Sequence, residues 1–299
     1  LEQQSRGIRG IVEAHLLQIV CACAALVLLL LLAVFGPALA AYNPILVDPL
    51  LIQSGPSHAH PCGTTALGSD VCSQVLSAYR YDLAQAGAAL ALALVVGAPI
   101  GALAALGGPL EAVLTPLIGT HPRLYRLFLP LLAGGLGQTI FAMLLYPAVP
   151  IPVLIFCFFT WPAYARLTRG AMQAARSGEE SGRVRAWLLL LPAQVAIHAW
   201  AALLTVGWLG LDELATAEPA MEWGGQISSD LINGTGLTAW EIAYPALALV
   251  TAVLALGYVS RVVRTLLGQP PPPVWRILSL LRRSTPLLPV DASESPGAT

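Results

Sequence analysis

The sequence predicts an all-α membrane protein: six transmembrane helices in one bundle, with both termini cytoplasmic. Three observations predict it. The mean hydropathy is +0.73, with 57% hydrophobic and only 10% charged residues. A soluble domain carries roughly 25% charged residues. The apolar residues gather into six stretches, each long enough to cross about 30 Å of hydrocarbon as a helix. All fifteen basic residues are arginine, and if the six stretches are crossings, every arginine except Arg80 falls on one side. That bias marks the side as cytoplasmic.

The elements follow in order. Residues 1–13, with Arg6 and Arg9, form a cytoplasmic N-terminus, and residues 14–41 a first, peripheral span. Ala38-Leu39-Ala40 looks like a small-residue cleavage site. The apolar run from Leu16 to Phe35 is nevertheless too long for a signal-peptide core of 7–15 residues, so a retained span is expected. Residues 42–82 form an extracytoplasmic loop.

Residues 83–267 then hold five further spans, at about 83–107, 124–146, 149–168, 186–210 and 239–263. The first opens after Asp82 and closes at Gly107-Gly108. Outside lie a tight turn at 147–150 and an acidic loop at 211–238 that has no basic residue. Gly97 and Gly101, flanked by Ala93 and Ala105, form a small-residue face, as do Gly134, Gly135 and Gly137. In lipid such faces let helix backbones approach closely, and helix packing within the bundle is the expected use.

Residues 268–299 make a cytoplasmic arm. The prolines from 270 to 273 interrupt the last helix. Residues 274–283, with Trp275 and three arginines, read as a short amphipathic segment at the membrane interface. The Ser/Pro-rich remainder is expected to be disordered.

Several functions are excluded. The arginines sit scattered at span ends, with a formal net charge of −1, and make no basic stripe for nucleic acid. There is no GxxxxGK[ST] loop, no HExxH and no GxSxG, so no catalytic set and no cofactor site are expected.

The smaller constellations leave alternatives. Cys62 and Cys72 share the outer loop, ten residues apart. They are either a disulfide, permitted outside the membrane, or two buried thiols. His58, His60, Cys62 and Cys72 form only a loose pattern for a soft metal, and no metal site is expected. Cys21, Cys23 and Cys157 lie in spans and read as packing residues. His198 falls mid-span, where a neutral histidine bonded to a neighbouring helix is the simpler expectation. Asp82 and Glu241, near the outer span ends, are expected to be solvated carboxylates.

Four motifs carry a resemblance. The outer loop reads His60-Pro-Cys-Gly-Thr-Thr-Ala-Leu-Gly-Ser-Asp-Val-Cys-Ser. It resembles the H-x-L-G-T-D-x-x-G-R-D-V-x-S segment of ABC-transporter permeases of the dipeptide/oligopeptide/nickel family, the C-type subunit. His60, Gly63, Thr64, Gly68, Asp70, Val71 and Ser73 carry the match. Upstream, Phe35-Gly-Pro and Tyr42-Asn-Pro resemble the end of that family's first helix. Downstream, Trp161-Pro-Ala-Tyr-Ala-Arg-Leu-Thr-Arg-Gly is similar to its W-P-x-Y-A-R-x-x-R-G, through Trp161, Pro162, Tyr164, Arg166 and Arg169. Trp208-Leu-Gly-Leu and Trp223-Gly resemble its F-L-G-L-G and the W-G that follows. The resemblance spans about 16–267.

It implies a type I permease subunit in the inner or plasma membrane, with one peripheral helix and a five-helix core. The implied partners are a homologous second permease, two cytoplasmic ABC ATPases, an extracytoplasmic binding protein and the lipid bilayer. The implied cargo is a peptide or a similar small polar solute.

Two segments depart from the family: the stretch from Leu110 to Pro130, with Pro116, Pro122 and Pro130, and the coupling segment. The cytoplasmic coupling helix, E-A-A-x-x-x-G ending in L-P, is matched by Gln173, Ala174, Ala175, Arg176 and Gly178, with Leu191-Pro192 after it. Glutamate is replaced by Gln173 and the glycine comes one residue early. Arg169 and Arg183 flank the segment, in which Ser177-Gly178 and Ser181-Gly182 are poor helix formers. The coupling segment, the altered third span and the C-terminal arm together motivate an alternative: a permease-derived accessory subunit that has lost transport and serves structurally in another membrane complex.

Overall fold

The structure is a computed structural model that describes residues 2–119, 151–176, 180–210, 222–233 and 238–269, with side chains over 15–119, 153–173, 190–207, 222–228 and 238–269. It contains seven helices among the described residues. They are α1 (Glu2–Leu39), α2 (Val71–Ala104), α3 (108–119), α4 (Ile151–Arg176), α5 (Glu180–Gly210), α6 (Trp223–Asn233) and α7 (Ala239–Leu266). No strand occurs among them. The one backbone bridge joins Thr64 to Asp70 within the outer loop.

Among the described residues, four helical stretches are long and apolar enough to cross a membrane: His15–Leu39, Val71–Ala104, Leu190–Gly207 and Ala239–Leu266. They match the first, second, fifth and sixth expected spans. The third, at 124–146, lies outside the described residues. The fourth is the helix α4, which carries Arg166 and Arg169 and is not among the four.

The second span begins earlier than the hydropathy pattern places it. α2 has 34 residues, which is about 50 Å of helix against about 30 Å of hydrocarbon. The Asp70 carboxylate caps its first turn, so the helix starts at Val71, well before the apolar run. The added outer turns carry Ser73, Gln74, Ser77 and Asp82, all buried. They are buried against protein, which is why polar residues suit them.

The core is built from small residues. The buried face of α2 runs Ala86, Ala89, Ala93, Gly97, Gly101 and Ala104, a repeat of three or four residues. α4 lies along this face in the most extensive helix–helix contact among the described elements. A Cβ at Gly97 would stand 2.3 Å from the Trp161 carbonyl oxygen, and one at Gly101 2.2 Å from that of Ala165. Glycine at both positions is what lets the two backbones touch. α5 and α7 complete the core with Leu203, Val206, Ala248 and Ala252. Gly207 admits Leu249, and Ser260 donates to the Ile197 carbonyl at 3.0 Å, tying α7 to α5. α1 packs on α2 and α7 from outside, leaving Leu17, Leu28, Val34 and Phe35 exposed.

Candidate functional site

The motif residues assemble into two joints, one at each end of the α2–α4 crossing. The outer joint is organised by Asp70. Its carboxylate, 4% exposed, accepts from the Ser73 amide (2.8 Å), the Ser73 hydroxyl (2.7 Å) and His60 Nδ1 (2.9 Å). The Ser73 hydroxyl in turn accepts from the Tyr42 amide at 3.1 Å, and the Tyr42 ring lies 4.5 Å from that of His60. One carboxylate thus caps α2 and fixes both ends of the loop before it.

Thr64, fully buried, fastens the middle of the loop. Its hydroxyl donates to the Leu51 carbonyl and accepts from the Ser54 amide at 2.9 Å. Gly63 and Gly68 adopt φ of +75° and +80°. Any Cβ at Gly68 would stand 1.9 Å from the Asp48 carbonyl oxygen, and one at Gly63 2.7 Å from the Trp240 indole. Both positions therefore require glycine on two counts, conformation and space. Cys62 and Cys72 are bonded to each other, with Cα atoms 5.3 Å apart, and the bridge closes the segment that carries Gly63 through Asp70. Among the described residues no three His, Cys, Asp or Glu side chains converge as metal ligands would.

α6 plugs the same end of the bundle. It forms inside the acidic loop, and Trp223 through Ser228 are buried. The Trp223 amide donates to Asp82 Oδ2 at 3.0 Å, its indole to the Val75 carbonyl at 3.2 Å, and its ring stands edge-on to Tyr79 at 4.6 Å. Gln226 donates to the Gln74 carbonyl at 3.2 Å, and Gln85 to Glu222 at 2.9 Å.

Two sequence expectations are corrected here. Asp82 is 0% exposed and Glu241 1%, so neither is a solvated helix-end carboxylate. Asp82 is roofed by α6, whose first amide it binds. Glu241 follows Trp240, whose indole donates to the Thr64 carbonyl of the outer loop, and its carboxylate is buried without a hydrogen-bond partner among the described residues. The hydropathy pattern placed both near water because the cover comes from segments distant in sequence.

The inner joint is carried by Trp161-Pro-Ala-Tyr-Ala-Arg. Tyr164 and Pro162 are fully buried, with Trp161, Tyr164 and Ala165 lying over the glycines of α2. Arg166 donates to the Ile118 carbonyl at 3.1 Å, and Arg169 pairs with Glu111 at 2.6 Å. The two arginines hold α3 against α4, over a small apolar cluster of Ala104, Ile118 and Ala165. His198 Nδ1 donates to the Gln194 carbonyl of its own helix at 2.9 Å, not to a neighbouring helix, and its ring lies 5.9 Å from that of Tyr164.

Of the coupling-segment candidates, Gln173 is exposed on α4. Ala174, Ala175 and Arg176 complete that helix, and Arg183 falls in the first turns of α5; the side chains of these four lie outside the described residues. Gly178 lies outside the described residues altogether. Ser181-Gly182 is helical in spite of its weak propensity.

Sequence reasoning missed the partners distant along the chain: Asp82 with Trp223, Gln74 with Gln226, Glu111 with Arg169, and Gly63 with Trp240. Only the Trp223-Gly pair left a local signal.

Long apolar helices joined at glycine faces beneath a stapled loop define a multi-pass membrane protein. Comparison with known proteins shows what the chain is similar to: permease proteins of peptide transport systems. The chain is 28% identical over 264 residues to the probable D,D-dipeptide transport system permease protein DdpC of Escherichia coli K12, covering 81% of this chain and 84% of that one. It is 28% identical over 245 residues to a putative peptide permease protein of Brucella suis biovar 1, covering 73% and 76%. It is 27% identical over 257 residues to the di/tripeptide transport system permease protein DppC of Pseudomonas aeruginosa, covering 78% and 81%. No family model matches the chain. The resemblance to C-type permeases first seen in four motifs thus extends over most of the chain.

Proposed function

We propose that this chain is the membrane-spanning permease subunit of an ABC importer for peptides or similar small polar solutes. The observation that carries it is the similarity to peptide-transport permeases over about four fifths of both chains. The geometry supports it. The motif residues common to the family are the joints of the bundle, where a subunit that alternates between two packings needs rigid contacts. The relatives are transport-system permease proteins, and in this reading ATP hydrolysis belongs to partner ATPases.

In this assignment the chain crosses the inner or plasma membrane six times with both termini cytoplasmic, and α4 and 124–146 supply the two remaining crossings. The stapled loop and α6 face the binding protein. Residues 169–186 meet the ATPase, with Gln173, Ala174, Ala175, Arg176, Gly178 and Arg183 as the coupling surface and Arg169 anchoring it to α3. A homologous permease completes the pathway. The similarity to transport-system permeases favours this role over that of a structural accessory subunit.

Gentle detergent purification of the native complex, with mass spectrometry of what co-migrates, tests the assignment. An ABC ATPase and a second permease are the expected companions. A different stoichiometric membrane complex in their place would overturn transport.

A further inference from the structure

Five large apolar side chains stand exposed on one short segment of the outer loop: Ile45 (49%), Leu46 (59%), Val47 (46%), Leu50 (91%) and Ile52 (52%). In a loop outside the hydrocarbon this is unusual, because apolar surface in water carries a cost of about 25 cal/mol per Å². The segment is not loose chain. The Asp48 amide donates to the Leu67 carbonyl at 3.2 Å and the Gln53 amide to that of Thr65 at 3.0 Å. Ser69 donates to the Leu46 carbonyl at 2.9 Å, Gln74 to that of Pro44 at 3.1 Å, and Gly68 seats the Asp48 backbone. The polar backbone faces the stapled loop, and the apolar side chains are held outward.

Its height relative to the bilayer follows from two aromatic residues. Tyr42, three residues after the end of α1, donates to the Ala59 carbonyl at 2.9 Å. Trp240, in the first turn of α7, donates from its indole to the Thr64 carbonyl at 3.3 Å. Tyr and Trp at the ends of spanning helices sit at the headgroup level. The loop is therefore hitched to that level at two points. The apolar ridge also continues the exposed face of α1, through Phe35 (53%), Leu39 (63%) and Tyr42 (40%). No arginine or lysine lies between Arg9 and Arg80, so charge attraction to anionic lipid plays no part.

We propose that the ridge at 45–52 is a membrane-interface anchor, inserted among the headgroups and upper acyl chains of the outer leaflet beside α1. Apolar faces of interfacial segments sink about 5–10 Å into this region. The anchor fixes the height and tilt of the stapled loop, and with it the outer end of α2. The inference rests on α1 crossing the membrane and not on transport.

The test is a tryptophan at the ridge tip, Leu50→Trp, with Ile45→Trp as a second variant, in the complex as it co-purifies and reconstituted into lipid nanodiscs. Both positions are exposed, so folding is expected to survive; retention of the Cys62–Cys72 bridge checks it. The added emission over the parent protein is read in ordinary lipid and in lipid brominated in the upper acyl chain. Blue-shifted emission that the brominated lipid quenches is the expected result. Unshifted emission without quenching would mean the ridge stands in water, and blue-shifted emission without quenching would mean a protein partner covers it. Either of these overturns the anchor. Neither bears on transport, which the co-purification experiment tests separately.

Discussion

A glycine's meaning in this chain depends on what faces it. Gly101 meets the Ala165 backbone, whereas Gly87, on the same helix, meets nothing within 4 Å of a Cβ. Gly101→Val should therefore force α2 and α4 apart, costing about 1–3 kcal/mol or more, because backbone cannot move aside as a side chain can. Gly87→Val should change stability little. Thermal unfolding of the two variants in detergent makes the comparison, and equal melting temperatures would contradict it. Asp70 allows a second test. Asp70→Ala removes the α2 cap, worth about 1–2 kcal/mol, and leaves His60 and Ser73 without their acceptor. Asp70→Asn, which keeps an acceptor oxygen, should lose less. The sequence marked Asp70, Gly97 and Gly101 through motif and spacing. It gave no sign that Asp82 is buried, because burial there is supplied by α6 more than a hundred residues later.

At the level of elements, the loop before α2 and the short helix α6 behave as one outer cap. Residues 211–238 read as a solvent loop because they are acidic and lack a long apolar run. Yet Trp223 is fully buried and its indole and amide are both bonded to α2. A helix of 11 residues, buried from Trp223 to Ser228, is too short to register as a span. Trp223→Ala should cost about 3–5 kcal/mol. The loss should appear first as faster proteolysis or hydrogen exchange at the outer end of α2, with α4 protected; uniform loss of protection would refute the cap as a unit. The bridge works on the same element. Paired Cys62→Ser and Cys72→Ser substitutions should lower stability by about 2–4 kcal/mol, and reductant should have no further effect on that variant.

For the whole molecule, orientation is the property with the widest consequences. In the proposed assignment Ser57 lies outside and Gln173 inside. In a background with Cys21 and Cys23 replaced, a membrane-impermeant maleimide applied to intact cells should label Ser57→Cys. It should reach Gln173→Cys only after permeabilisation. The reverse pattern would invert the topology and with it the assignment of coupling and binding-protein faces. The bridged cysteines point the same way, since disulfides persist in oxidising compartments and are rare in the cytosol.

The sequence by itself determined that this is a membrane protein and, through its motifs, its resemblance to permeases. Apolar length, arginine placement and small-residue spacing are properties of neighbouring residues along the chain, and the bilayer reads them locally. Tertiary structure alone decided how the pieces close. It set Asp82 beneath Trp223, the Trp161 segment across the glycines of α2, Glu111 against Arg169, and the apolar ridge at 45–52 facing outward. Each of these depends on segments separated by tens to hundreds of residues, and no local pattern records which distant backbone will arrive to bury a carboxylate or to leave a leucine bare.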